Sequence, residues 1–109
     1  MKKLNSVPTD YSKKQLITFL EKNNENINLI NRLKNLPEKI KYNNVEYTLN
    51  ILISWYNINN TYYEFELNYY SEKYMEFLFS YKILKNIEES IKFLENELKK
   101  KKNIQIIQN

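Results

Sequence analysis

The 109-residue sequence contains no cysteine, no histidine, no glycine and no alanine. Without Cys there is neither a disulfide nor a thiolate metal site, and an intracellular setting is the simpler expectation. Without His the commonest general base and the commonest metal ligand are both missing. Without Gly the phosphate-cradling loops of P-loop and dinucleotide-binding proteins cannot form. Acid–base chemistry would fall to Glu, Asp10, Lys, Tyr and the hydroxyls. The expectation is a protein that is not an enzyme, carrying no cofactor and no metal. Asn, Lys, Ile and Tyr are abundant instead, and their AT-rich codons point to an AT-rich genome as one cause of the bias.

Long apolar runs are also lacking. No stretch approaches the roughly 18 apolar residues that would span a bilayer. The opening Met-Lys-Lys-Leu-Asn-Ser-Val-Pro has no apolar h-region, so it does not read as a signal peptide. The expectation is a soluble protein of the cytoplasm with no membrane partner. Its length fits a single domain, residues 1–109, with 1–8 and 103–109 as loosely ordered tails, and roughly two thirds of the unfolded surface can be buried at this size.

What is present is clear periodicity. Ser12-Lys13-Lys14-Gln15 reads as a capping box, after which Leu16, Phe19 and Leu20 share one helical face. Asn23 to Asn26 interrupts, and Ile27, Ile30 and Leu33 restart a helical stripe that Pro37 should close. From Lys39 the period becomes two. Ile40 and Tyr42 open it; Val45, Tyr47, Leu49, Ile51, Ile53 and Trp55 extend it; Tyr63, Phe65, Leu67 and Tyr69 form a third strand. Met75, Phe77, Phe79 and Tyr81 predict a fourth. From Ile83 the helical period returns through Leu84, Ile87, Ile91, Leu94 and Leu98, a helix of about 18 residues and 27 Å.

Directly opposed residues must face the same way, so the register can be tested. An Asn43-Asn44 turn sets Tyr42 against Val45, and a loop from Asn57 to Thr61 sets Trp55 against Tyr63. A Ser71-Glu72-Lys73 loop sets Tyr69 against Met75. All three place the apolar sets together. The expectation is an α+β fold, ααββββα, a four-stranded antiparallel meander with the helices packed mainly on one face.

The other face would then carry Tyr56, Tyr62, Glu64, Glu66, Tyr70, Tyr74 and Glu76, with Lys82 opposite Tyr62 as the only near cation. Charge is segregated accordingly. Residues 1–42 hold nine Lys/Arg against four Asp/Glu, residues 43–81 one against five, and residues 82–109 seven against four, within a chain of net charge +4. A Tyr/Glu face of this kind suits a basic partner, since Tyr offers rigid area with a polar tip and carboxylates steer cations. Alternation of polar residues is also what any solvated antiparallel face shows. A hydrolytic or metal-binding role for Glu64 and Glu66 is disfavoured, because nothing predicts a cleft around them.

The competing expectation is non-sequence-specific nucleic-acid binding through Lys13, Lys14 and Lys99, Lys100, Lys101, Lys102 on basic helices. Glu64 and Glu66 argue against base stacking on the sheet, since they would repel phosphates. The tail Ile104, Ile106, Ile107 reads as a dimer contact or a short added strand.

The segment Tyr62-Tyr63-Glu64-Phe65-Glu66-Leu67-Asn68-Tyr69-Tyr70 resembles the type I-D anti-CRISPR family of archaeal rod-shaped viruses. Those proteins carry a similar aromatic strand with a Glu-Phe-Glu-Leu core, then a further apolar strand and a Lys-Ile step, as at Phe77 to Ile83. The resemblance covers about residues 45–85. It implies a small viral or mobile-element α+β protein, dimeric, that blocks CRISPR interference in the host cytoplasm by binding the large effector subunit. Glu64 and Glu66 would belong to its acidic docking surface. Family members are strongly acidic, whereas this chain is net basic and its N-terminal helices show no match. An inhibitor of another host defence complex is equally consistent.

Overall fold

A computed structural model describes residues 4–5, 9–57 and 61–107. Helix α1 (Lys13–Lys22) opens on the capping box that the spacing predicts: the Ser12 hydroxyl accepts from the Gln15 amide, and the Gln15 side chain accepts from the Ser12 amide at 2.8 Å. Asn26 caps α2 (Ile27–Asn35) by accepting from the Asn28 amide. The buried stripe of α2 is Leu29, Ile30 and Leu33, while Ile27 stays exposed. Helix α3 (Ile87–Lys100) begins later than its periodicity predicts, because Leu84 is held by two backbone hydrogen bonds to Phe65 and Asn86 supplies the cap. None of these helices is long and apolar enough to cross a membrane.

The sheet is antiparallel and larger than four strands. Its described strands are β1 (Leu4–Asn5), β2 (Thr9–Tyr11), β3 (Lys39–Tyr42), β4 (Val45–Asn57), β5 (Thr61–Ser71), β6 (Glu76–Phe77) and β7 (Gln105–Ile107). The order is β6-β5-β4-β3-β7, and β1 and β2 pair with β4 beyond the end of β3. The 13-residue β4 is therefore the spine, with β5 along one edge and three short segments along the other. The tail adds a strand, Gln105–Ile107, to β3. Residues 1–3, 6–8 and 108–109 of the expected tails, and 58–60 of the expected loop, lie outside the described residues.

Two hairpins have the register read from the sequence. Tyr42 opposes Val45 across a turn in which Asn43 and Asn44 both have positive φ, as a type I′ turn requires. Trp55 opposes Tyr63 and Ile53 opposes Phe65. In a chain without glycine, asparagine takes four of the five described left-handed positions, its short polar side chain tolerating them best.

The third hairpin is a correction. Tyr70 pairs with Phe77 and Ser71 with Glu76, so the loop is the four residues 72–75 rather than the three from Ser71 to Lys73. Met75 closes it at φ 53°, and the Ser71 hydroxyl accepts from the Tyr74 amide. This slip by an odd number of positions turns Glu76 and Phe77 to the faces opposite those expected, while Phe79, past the end of the strand, stays in the core against Tyr69. The fourth strand then ends after two residues. At Phe79 the Asn68 side chain replaces the next rung: its oxygen accepts from the Tyr69 and Phe79 amides, and its nitrogen donates to the Phe79 carbonyl at 3.0 Å.

The core lies between the helices and one face of the sheet. Leu16, Leu20, Ile30, Leu33, Ile91 and Leu94 are buried against Ile40, Ile51, Phe65 and Leu67. Phe19 places α1 on this face by packing edge-on against Tyr63 at 5.1 Å. Arg32 of α2 clamps α3 by a bidentate pair with Glu95 and a longer contact to Glu88, and the Glu95 hydrogen bonds raise its pKa further. Tyr69 is fully buried, and its hydroxyl donates to the Pro37 carbonyl at 2.7 Å. Burial pushes its phenol far up, so it remains a neutral donor that ties β5 to the end of α2.

Candidate functional site

The alternation of β4 and β5 that sends apolar residues under the helices sends Leu52, Ser54, Tyr56, Tyr62, Glu64 and Glu66 to the opposite face. Across the two strands Tyr56 opposes Tyr62, Ser54 opposes Glu64 and Leu52 opposes Glu66. The rings of Tyr56 and Tyr62 stack with centroids 5.0 Å apart. Tyr56 also hydrogen-bonds the Glu64 carboxylate, which raises the phenol pKa because the neutral hydroxyl is the better donor. The cation near Tyr62 is Lys85, its Nζ 4.8 Å from the ring centroid, rather than Lys82.

This face is not flat. Between the Tyr70–Phe77 rung and the Phe65–Leu84 bridge, β5 advances five residues while the opposing chain advances seven. The surplus of two carries Tyr81 and Ile83 to the outward side. With Leu52, Ser54, Tyr56, Glu64 and Glu66 they wall a depression of about 220 Å³. Partial burial raises the pKa of Glu66. The ion pairs among the described residues join Arg32 to Glu88 and Glu95, Lys39 to Glu46 and Lys100 to Glu97, and none includes Glu64 or Glu66. Two carboxylates thus sit in a tyrosine-walled hollow without a cation partner among the described residues.

The other expected face residues divide. Tyr70 is on this face, its ring 4.9 Å from Phe77. Tyr74 lies in the turn, 54% exposed, with Lys73 over its ring at 5.4 Å. Glu76 belongs to the helix side, opposite Ser71, where it accepts from the Tyr47 hydroxyl at 3.5 Å. The changed register of the third hairpin accounts for that displacement. In exchange the face gains Phe77 and Tyr81, which simple alternation assigns to the core, and Ile83, where the helical period is expected to resume. Their signal in the sequence was the density of large apolar residues from Tyr74 to Ile83, more than one short edge strand can bury.

The lysines of the competing reading are partly occupied. Lys13 Nζ donates to the Lys34 and Leu36 carbonyls, which α2 leaves open at its C-terminal end, and burial lowers its pKa. Lys100 pairs with Glu97 at 3.3 Å, and Lys101 lies 4.9 Å from the Tyr42 ring. Lys14, Lys99 and Lys102 are exposed. Lys13→Ala should therefore lower stability by about 1–2 kcal/mol, toward the low end for hydrogen bonds to a charged group because the site is partly exposed, whereas Lys14→Ala and Lys102→Ala should stay within ~0.5 kcal/mol. Urea melts of the three variants check this; equal effects would remove Lys13 from its place as a tie between α1 and α2.

The fold and the site thus describe an α+β protein with a helix layer on one side of an antiparallel sheet and a Tyr/Glu hollow on the other. Comparison with protein-family models, curated proteins and solved structures finds no match in any of the three.

Proposed function

We propose that this protein acts by stoichiometric binding, docking its outward Tyr/Glu face onto a basic surface of a host defence complex and so inhibiting it. The observation that carries this reading is the pair Glu64 and Glu66, half-buried on the face opposite the helices and outside every ion pair among the described residues. Carboxylates held in a half-buried hollow without a cation gain most when a partner supplies one. The stacked Tyr56 and Tyr62 beside them offer the rigid amphipathic area that interface centres favour. The resemblance of residues 62–70 to the type I-D anti-CRISPR family makes a CRISPR effector, itself a nucleic-acid-binding assembly with basic surfaces, the target to test first. Dimerisation, which that resemblance implies, is compatible with docking through this face.

The test is a purified type I-D interference complex titrated with the protein. Loss of target cleavage near a one-to-one ratio is expected. Alanine at Tyr62, Glu64 and Glu66 together should abolish inhibition while thermal stability stays within ~0.5 kcal/mol for each surface change. Retained inhibition by the triple variant would dismiss this face. Micromolar DNA or RNA binding at physiological salt, with a steep salt slope, would favour the basic helices instead.

A further inference from the structure

We propose that β7 is a self-pairing edge, along which a second copy of this chain extends the sheet antiparallel about a two-fold axis. β7 ends the strand order; it pairs with β3 on one side, and no strand lies beyond it among the described residues. A strand edge is a row of backbone donors and acceptors, so what fits it is another strand. The sheet's other edges are guarded. β2 carries Asp10 at its centre, and β6 is two residues long and carries Glu76. Beyond β6 the Asn68 side chain bonds Phe79, and Leu84 exchanges two backbone hydrogen bonds with Phe65. β7 has none of these devices. From Asn103 to Asn109 the sequence holds no charged residue and no proline.

Ile106 is an independent observation. It opposes Ile40, so the two face the helices together. Ile40 is fully buried and Ile104 packs against the core, whereas Ile106 is 60% exposed. The apolar face therefore runs one side chain past the helix cover. A second copy answers both features. With the axis through Ile106, that residue meets its twin as a cross-strand apolar pair, and Gln105 meets Ile107 of the second copy on the outward side. No charge enters these pairs. Lys39 and Lys41 stand one strand back, so those of two copies are separated by three strand spacings, about 14 Å. That exceeds the Debye length of ~8 Å at physiological salt, so their repulsion is largely screened. The two-fold also closes the pair, and no third copy can add at this edge. Because the axis runs normal to the sheet, both Tyr/Glu faces end on one side, uncovered by the contact. Three residues a side fall well short of a standard interface, so the association should be weak.

The test is sedimentation equilibrium of the full chain over a concentration series at low and high salt, with NMR of the backbone amides. Dimers should form at roughly 0.1–1 mM, more readily as salt rises, with concentration-dependent shifts centred on Ile104 to Ile107. Ile106→Lys and Ile106→Glu each set like charges opposite one another and should each weaken the dimer at least about tenfold, the exposed position sparing the fold. An equal mixture of the two variant chains should associate at least as well as the parent, since ammonium then opposes carboxylate. That rescue is the signature of two-fold pairing through this residue. Ile106→Thr, which keeps the branched shape, serves should a charge disturb β7, and it should weaken the dimer about threefold. The Tyr62/Glu64/Glu66 variant should dimerise like the parent, which keeps this result separate from the docking reading. A parent that stays monomeric at ~1 mM, or a dimer indifferent to all three changes at Ile106, would overturn the proposal. So would a dimer that dissolves as salt rises, because the acidic face of one copy would then be binding the basic helices of another.

Discussion

Asn68→Leu should destabilise the protein by about 3 kcal/mol or more, although the two side chains are close in size. Asn68 is 1% exposed and stands where β5 loses its neighbouring strand. Its amide serves two backbone N–H groups and one carbonyl, acting as a rung of the ladder that the chain itself does not build. Leucine would leave the Tyr69 and Phe79 amides and the Phe79 carbonyl unpaired, each at ~1–3 kcal/mol where water cannot reach. Against a stability of roughly 5–15 kcal/mol, this is enough to lower Tm by 10 °C or more in a domain of this length. Asn68→Asp separates the contributions. It keeps the acceptor, loses the donor and buries a carboxyl against the Phe79 carbonyl, which would hold its folded pKa above the unfolded value of ~3.9. The native state then binds the proton more tightly than the unfolded chain, so the variant should be most stable in acid and lose stability as pH rises through the unfolded pKa. Calorimetry across pH decides the matter. If both variants melt with the parent at neutral pH, the amide is not a structural rung.

The same residue marks where the sequence ceases to be legible. The β3–β4 and β4–β5 registers could be derived because their turns are confined by Asn43-Asn44 and by long alternating strands on both sides. The third hairpin offered the same alternation, Met75, Phe77, Phe79, Tyr81, with no such anchor. Its true loop places Met75 in a left-handed conformation, which no unbranched apolar residue announces. One residue more in the loop was sufficient to exchange faces, sending Glu76 to the helix side and Phe77 beside Tyr70. The hollow was invisible for a related reason. Its far wall exists because the chain runs two residues long between rungs, and a surplus of backbone has no periodic signature. Segments β1, β2 and β7 are two or three residues each, too short for a period to be measured. The segregation of charge, by contrast, needed only the β4–β5 register, and Glu64 and Glu66 lie where that register puts them.

Reversing both charges, Glu64→Lys with Glu66→Lys, should reduce affinity for the partner at least about thousandfold. Each reversal removes an attraction and adds a repulsion, and close charge pairs across interfaces couple by ~1.5–7 kcal/mol. Part of the loss should come in the association rate, and it should shrink as salt screens the field. Lysine stems can lie along Leu52 and Ile83 with their ammonium groups in water, so the fold itself should survive. Glu66→Gln, the milder companion, separates binding from stability. The groups facing Glu66 across the hollow are Glu64, Tyr56, Tyr81 and Ser54, none of them a cation. Burial raises its folded pKa, so ionisation is harder in the native state, and the penalty sets in as pH rises past the unfolded value of ~4.3. Glutamine removes that penalty. The variant should match the parent in acid and become slightly more stable, by up to ~0.5 kcal/mol after solvent screening, at neutral pH. A gain in stability with a loss of binding is what a carboxylate placed for a partner's cation should give. A loss of stability in Glu66→Gln at neutral pH would mean that the carboxylate serves the fold, and the docking surface would lose its centre.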